Sequence, residues 1–254
     1  MKNILFLITL ITLSHAQQFK YREFANVQNF YSSITKDVIQ LSIKHKTPPA
    51  VILAIAGLES GYGSGYVSQI TGNILSLGAN KNEIQLPALN IPYCNNDKNK
   101  KALYSQKDQN KCDELIWKQR PKSLKKDYRP SSIAGTKQNL DYFIYNQEKF
   151  KEAKLQNIED FLTKWIRKNH KYSPFRNTKL WLEEKIKKEG IKTLFSIETN
   201  LEFANKIGGH KNSFNYRDTW PKKVKYILTK TGLTQLCSAM YYEKKSFIKA
   251  WNQN

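Results

Sequence analysis

Apolar positions recur at helical spacing along most of the chain. The pattern predicts helices over 24–44, 48–59, 134–150, 158–168, 178–188, 200–207, 221–229 and 233–251, joined by short turn-rich segments. In the fourth of these, Ile158, Phe161, Leu162, Trp165 and Ile166 form an i, i+3, i+4, i+7, i+8 stripe, the signature of a face turned to a core. A core role is expected too for Leu180, Trp181 and Ile186, and for Val224, Ile227 and Leu228. The stretch 79–127 breaks the pattern. It is long, polar and poor in helical periodicity, too long to be a passive connection, and is either a small lobe or a disordered insertion.

The second predicted helix is apolar on every side and ends in one acid. Thr47 suits the N-cap, Pro48 the first helical position, and Gly61 and Gly63 a left-handed exit just past Glu59. Ile52 and Ile55 share a stripe with Glu59, while Val51, Leu53, Ala54 and Leu58 cover the other faces, so the helix is expected to be buried over about three turns. Desolvation and the negative end of the helix dipole both disfavour a carboxylate there, which predicts a raised pKa. Such an acid has two readings: a proton donor for a leaving oxygen, as glycoside cleavage requires, or a structural Glu held by a nearby cation or backbone N–H.

The run Ala54-Ile55-Ala56-Gly57-Leu58-Glu59-Ser60-Gly61-Tyr62-Gly63-Ser64, followed by Gly72-Asn73-Ile74-Leu75-Ser76-Leu77, resembles the signature of bacterial peptidoglycan glucosaminidases of the glycoside hydrolase family 73 type. Glu59 falls on the family's catalytic acid. The second block departs from the pattern, with Gly72-Asn73 in place of paired asparagines and Leu75-Ser76 in place of Phe-Gly. Fainter echoes are Tyr128-Arg129-Pro130-Ser131, before a helix holding Leu140, Tyr142 and Phe143, and Phe214-Asn215-Tyr216-Arg217-Asp218-Thr219-Trp220, like the family's tyrosine-bearing loop.

The resemblance implies a mainly α, lysozyme-like helical domain with a small β-containing lobe at 79–127. It implies an endo-β-N-acetylglucosaminidase with Glu59 as general acid and no metal or cofactor. Tyr216 takes the place of the cleft tyrosine, although alignment on Trp220 puts Phe214 there instead. The second catalytic group is either a lobe acid (Glu83, Asp97, Asp108, Asp113 or Glu114, with Glu83 nearest the second motif) or the substrate's own N-acetyl carbonyl. Tyr62, Tyr66 and Asn73 are candidate sugar contacts, the two tyrosines being equally suited to a core. Two other readings stay open: a lytic transglycosylase, which also sets a lone Glu before Ser and Gly, and a basic wall-binding protein without activity.

The N-terminus reads as an export signal. Lys2 precedes an apolar run from Ile4 to Leu13, and Ser14-His15-Ala16 offers a cleavage site, which predicts a mature chain from Gln17 in the periplasm, on the wall or secreted. The run is short for a bilayer span, so no stable membrane anchor is expected. What remains is long enough for one substantial core. The charge is +21, from 42 Lys and Arg against 21 Asp and Glu, and such a field draws polyanions. With an export signal and no zinc-finger, zipper or RNA-binding signature, the partner expected is peptidoglycan rather than nucleic acid, and control by a regulatory protein partner is left open. The four histidines match no metal-ligand spacing. Cys94 and Cys112 either form a disulfide worth about 3 kcal/mol by loop closure or remain thiols, with Cys237 suited to a buried apolar site.

Overall fold

The computed structural model describes residues 19–78, 87–96, 101–120 and 129–253. The expected export signal and Glu83, Asp97 and Tyr128 lie outside these. A 3-10 turn (Lys20–Glu23) leads into α1 (Ala25–Lys44), and a tight turn returns the chain into α2 (Pro49–Ser60). Every residue of α2 from Pro49 to Gly57 is buried. Its start differs from expectation: Pro48 is the N-cap, and the Thr47 hydroxyl donates instead to the Ser42 carbonyl. The Val51 N–H is satisfied from far along the chain, by Asn200 Oδ1 at 2.8 Å. A capping partner 149 residues away leaves no local signal.

Beyond α2 come α3 (Tyr66–Thr71), β1 (Asn90–Cys94), a helical turn α4 (Gln106–Gln109) and β2 (Leu115–Gln119). The two strands pair antiparallel, Asn90 opposite Gln119 and Cys94 opposite Leu115. The polar stretch therefore holds a small β-containing lobe, with its own core of Tyr66, Ile70, Leu89 and Ile91 and a Cys94–Cys112 disulfide. Buried Arg129 anchors its base, donating to the carbonyls of Ala134 and Pro87.

The predicted helix over 134–150 is not formed as one element. Residues before Tyr142 make turns around Gly135, whose φ of +75° is left-handed and whose carbonyl accepts the Asn90 N–H of β1. Pairing with the lobe thus wins over helix propensity. Helix α5 (Tyr142–Tyr145) is one turn, and after a break at Asn146 α6 (Gln147–Asp160) runs into a π-helical turn at Phe161–Trp165. The stripe from Ile158 is core as expected, with Ile158, Phe161, Leu162 and Ile166 buried. Helix α7 (Ser173–Glu189) starts five residues earlier than predicted, with Pro174 in its first turn, and its Leu180 is exposed because Phe175, Thr178 and Leu182 form the inward face.

After α8 (Ile197–Ile207) and a loop come α9 (Trp220–Thr231), α10 (Leu233–Tyr241) and α11 (Phe247–Trp251). The last two were expected as one helix, but the chain turns between them, with Lys244 at φ 54°. Helices α1, α8, α9 and α10 surround α2. That arrangement explains why α2 carries no polar side chain before its final turn. Arg22 ties the turn before α1 to the last helices, donating to the carbonyls of Thr231 and Gly232 at the end of α9 and of Ala250, Trp251 and Gln253 around α11. Burial draws its pKa down to about 10. Among the described residues no helix is long and apolar enough to cross a membrane.

Candidate active site

Glu59 stands in the last turn of α2, where the helix leaves the core. Gly61 ends the helix at φ 56°, ψ 47°, a conformation an L side chain adopts only with strain. Ser60 locks the exit: its hydroxyl donates to the Ala56 carbonyl at 2.6 Å and accepts the Gly63 N–H at 2.8 Å. The Glu-Ser-Gly order therefore fixes the direction in which the acid leaves the helix.

Trp220, at the start of α9, donates its indole Nε1–H to Glu59 Oε1 at 2.7 Å. The ring is 3 % exposed and packs against Gly208, where any Cβ would collide with it. Phe214 flanks it with ring centroids 5.4 Å apart. In the sequence Trp220 serves only as an alignment anchor, with no role of its own. The 161 residues between donor and acceptor hide the contact from any local pattern.

Burial raises the Glu59 pKa above its ordinary value, and three weaker effects oppose it: the Trp220 hydrogen bond and the positive charges of Arg217 and Lys223. Desolvation wins, which favours the protonated acid. The carboxyl has a hydrogen bond on one oxygen and no ion pair among the described residues. Among the described residues no hydrogen bond reaches its second oxygen.

The other sequence candidates fall in different surroundings. Tyr216 stands 71 % exposed on the loop before α9, with the Arg217 guanidinium 5.8 Å from its ring centre. Phe214, the alternative for that place, is packed among Phe161, Trp165 and Trp220. Tyr62 has its ring walled in by Tyr21, Phe30 and Tyr31. Tyr66 is 5 % exposed and tilts against Trp117 of β2 with centroids 5.1 Å apart. It belongs to the core of the lobe.

Asn73 is buried as well. Its Oδ1 accepts the Leu77 N–H and an Asn157 amide hydrogen while its Nδ2 donates to the Leu77 carbonyl. It staples the loop after α3 rather than facing a groove. Of the lobe acids, Glu83 and Asp97 lie outside the described residues. Asp108 is exposed and bonded to Ser105 and Lys111, while Asp113 and Glu114 accept from Asn96 and Asn95.

Among the described residues no group of three or more His, Cys, Asp or Glu side chains is placed to hold a metal ion. No protein-family model, no curated protein and no solved structure matches this chain.

Proposed function

We propose that the protein is an exported peptidoglycan hydrolase that cuts glycan strands as an endo-β-N-acetylglucosaminidase, with Glu59 as general acid. The observation that carries this reading is the desolvated Glu59 carboxyl held by the Trp220 indole N–H. A structural Glu at a helix end is normally ion-paired or solvated, because burying it otherwise costs free energy. Here that cost is retained, and it holds the pKa of the acid above its ordinary value, which favours the protonated form.

In the proposed reaction the free oxygen of Glu59 protonates the glycosidic oxygen as the C–O bond breaks. The carboxylate left behind is met by the Trp220 N–H and by the charges of Arg217 and Lys223. Interactions that strengthen as charge appears lower the barrier more than they stabilise the resting acid. The sugar becomes oxocarbenium-like at C1 and is captured by water, or first by its own N-acetyl carbonyl. The described lobe acids are exposed and engaged within the lobe, which favours the N-acetyl route. Tyr216, exposed on the loop that also carries Arg217, is the residue we assign to orienting the N-acetyl group or the water.

The test is digestion of purified peptidoglycan by the mature protein and by Glu59→Gln, with mass spectrometry of the new ends after borohydride reduction. Reduced N-acetylglucosamine ends made only by wild type are expected. Anhydro-muramyl ends mean a transglycosylase instead, and retention on insoluble wall with no cleavage means a binder.

A further inference from the structure

Helix α9 differs from the other long helices in how its charge is held. Its outer face carries Lys222, Lys225 and Lys230, and the helix has no acidic residue. Among the described residues none of the three makes an ion pair. Every other long helix that carries lysine pairs at least one with an acid: Lys44 of α1 with Glu159, Lys149 of α6 with Glu152, Lys188 of α7 with Glu184, and Lys206 of α8 with Glu202. The remaining cation of α9, Lys223, already acts on Glu59. By helical periodicity Lys225, Lys222, Tyr226 and Lys230 share one arc, opposite the buried Trp220, Val224, Ile227, Leu228 and Thr231, and the row from Lys222 to Lys230 is about 12 Å long.

An aromatic strip borders this face. Tyr21 meets Tyr226 at 5.7 Å and Phe24 at 6.0 Å between ring centres, both edge to face. Tyr226 is 48 % exposed and Phe24 45 %. Phe24 stands at the N-cap of α1, where its side chain satisfies no backbone N–H, so neither capping nor burial accounts for a phenyl ring there. The turn that carries Tyr21 adds one further cation, Lys20, and one acid, Glu23, and Asp218 lies on the loop before α9.

We infer that the outer face of α9 and the turn before α1 form a docking face for an anionic lipid surface, on which the protein rests without an anchor. The lysine stems lie along the surface with their ammonium groups at the headgroup phosphates, and the rings of Phe24 and Tyr226 enter the interface. Charge complementarity acts at two ranges: the row of lysines at contact, and the chain's +21 charge during approach. A soluble polyanion also satisfies the lysines but leaves Phe24 without a role, and the aromatic strip is what favours lipid. The docking face stands apart from the glycosidase reading. Where both hold, the start of α9, with Trp220 on Glu59, is set beside the membrane surface.

The test is co-sedimentation of the mature protein, without the apolar run from Ile4 to Leu13, with vesicles of phosphatidylcholine alone and with about one third phosphatidylglycerol. Binding to the anionic vesicles only, lost at high salt, is expected. Lys225→Ala and Lys230→Ala are each expected to weaken it about fivefold. Phe24→Ala weakens it as well but leaves its salt dependence unchanged, because an apolar contact is lost rather than a charge. Lys188→Ala, which removes a lysine paired with Glu184 on α7, keeps binding within about twofold of wild type. All four positions are exposed, so the variants keep the fold.

No binding to anionic vesicles overturns the inference. Equal weakening by Lys188→Ala and by the α9 changes also overturns it, since net charge alone then explains the binding. Retention on immobilised poly(glycerol phosphate), with vesicle binding undiminished in Phe24→Ala, assigns the face to a soluble polymer instead. Glu59→Gln is expected to bind vesicles as wild type does, so failure of the hydrolase reading leaves the docking face standing.

Discussion

Two regions of the molecule carry acids under opposite physical conditions. At the end of α2, Glu59 is partly withdrawn from water, bonded to an indole N–H and raised in pKa. In the β lobe, Asp108 is exposed, bonded to Ser105 and lowered in pKa, with Lys111 adding a weaker pull in the same direction. The residue type is the same class in both places. What differs is the scaffold: a helix buried among four others delivers the first acid, while the lobe has a core of four buried residues, an arginine anchor and a cross-link. A rigid apolar helix can hold a carboxyl out of water, whereas a small lobe can display acids but not desolvate them.

The sharpest way to break this contrast is to neutralise acids in both regions. Glu59→Gln is expected to lower strand cleavage about 10²–10⁴-fold, while Asp113→Asn and Glu114→Gln leave it within about twofold by initial rates, since solvated loop acids contribute little. Equal losses in both regions would erase the distinction. Next in size is the cross-link. Replacing Cys94 and Cys112 by Ser removes about 3 kcal/mol of loop-closure stabilisation, and the loss belongs to the lobe. Hydrogen exchange should quicken at Leu115–Gln119 while α2 and α9 keep their protection.

A smaller effect is expected at Trp220. Trp220→Phe deletes the bond to Glu59 and leaves a space in the core, costing about 1–3 kcal/mol by thermal unfolding. It also removes a group that favours the carboxylate, so the Glu59 pKa rises and the alkaline limb of the pH–rate profile moves to higher pH. Arg217→Ala and Lys223→Ala shift that limb the same way without the stability loss.

The smallest expected effect concerns stability against pH. Because the folded pKa of Glu59 is raised, its favourable contribution is complete below its unfolded pKa and fades as pH rises through the folded one. Glu59→Gln escapes that loss. Its melting temperature should exceed wild type at neutral pH by about 2–4 °C, for roughly 1 kcal/mol, and the gap should close in acid.

The features legible in the sequence were those set by neighbours along the chain. The buried helix, its acid, the glycine exit and the stripe from Ile158 all follow from spacing alone, as does the scarcity of helix in the described part of the polar stretch, where α4 is a single turn. Features that depend on distant partners were not legible. Asn200 replaces Thr47 in capping α2, Trp220 reaches Glu59 from α9, and Asn90 takes the Gly135 carbonyl, in turns that replace the first part of the helix expected over 134–150. Asn73 illustrates the converse risk. A motif position suggested a sugar contact, yet its amide is spent on Leu77 and Asn157, because a polar residue in a motif serves the loop as readily as the ligand.

The most direct test of the account is a titration of the Glu59 carboxyl itself, followed by its side-chain carbon resonance in carbon-13-labelled protein and assigned by its absence in Glu59→Gln. The account predicts a midpoint above the ordinary value of 4.5, moving higher still in Trp220→Phe. A midpoint at or below that value would show a carboxylate already ionised in the resting protein, and would contradict Glu59 as a stored proton donor.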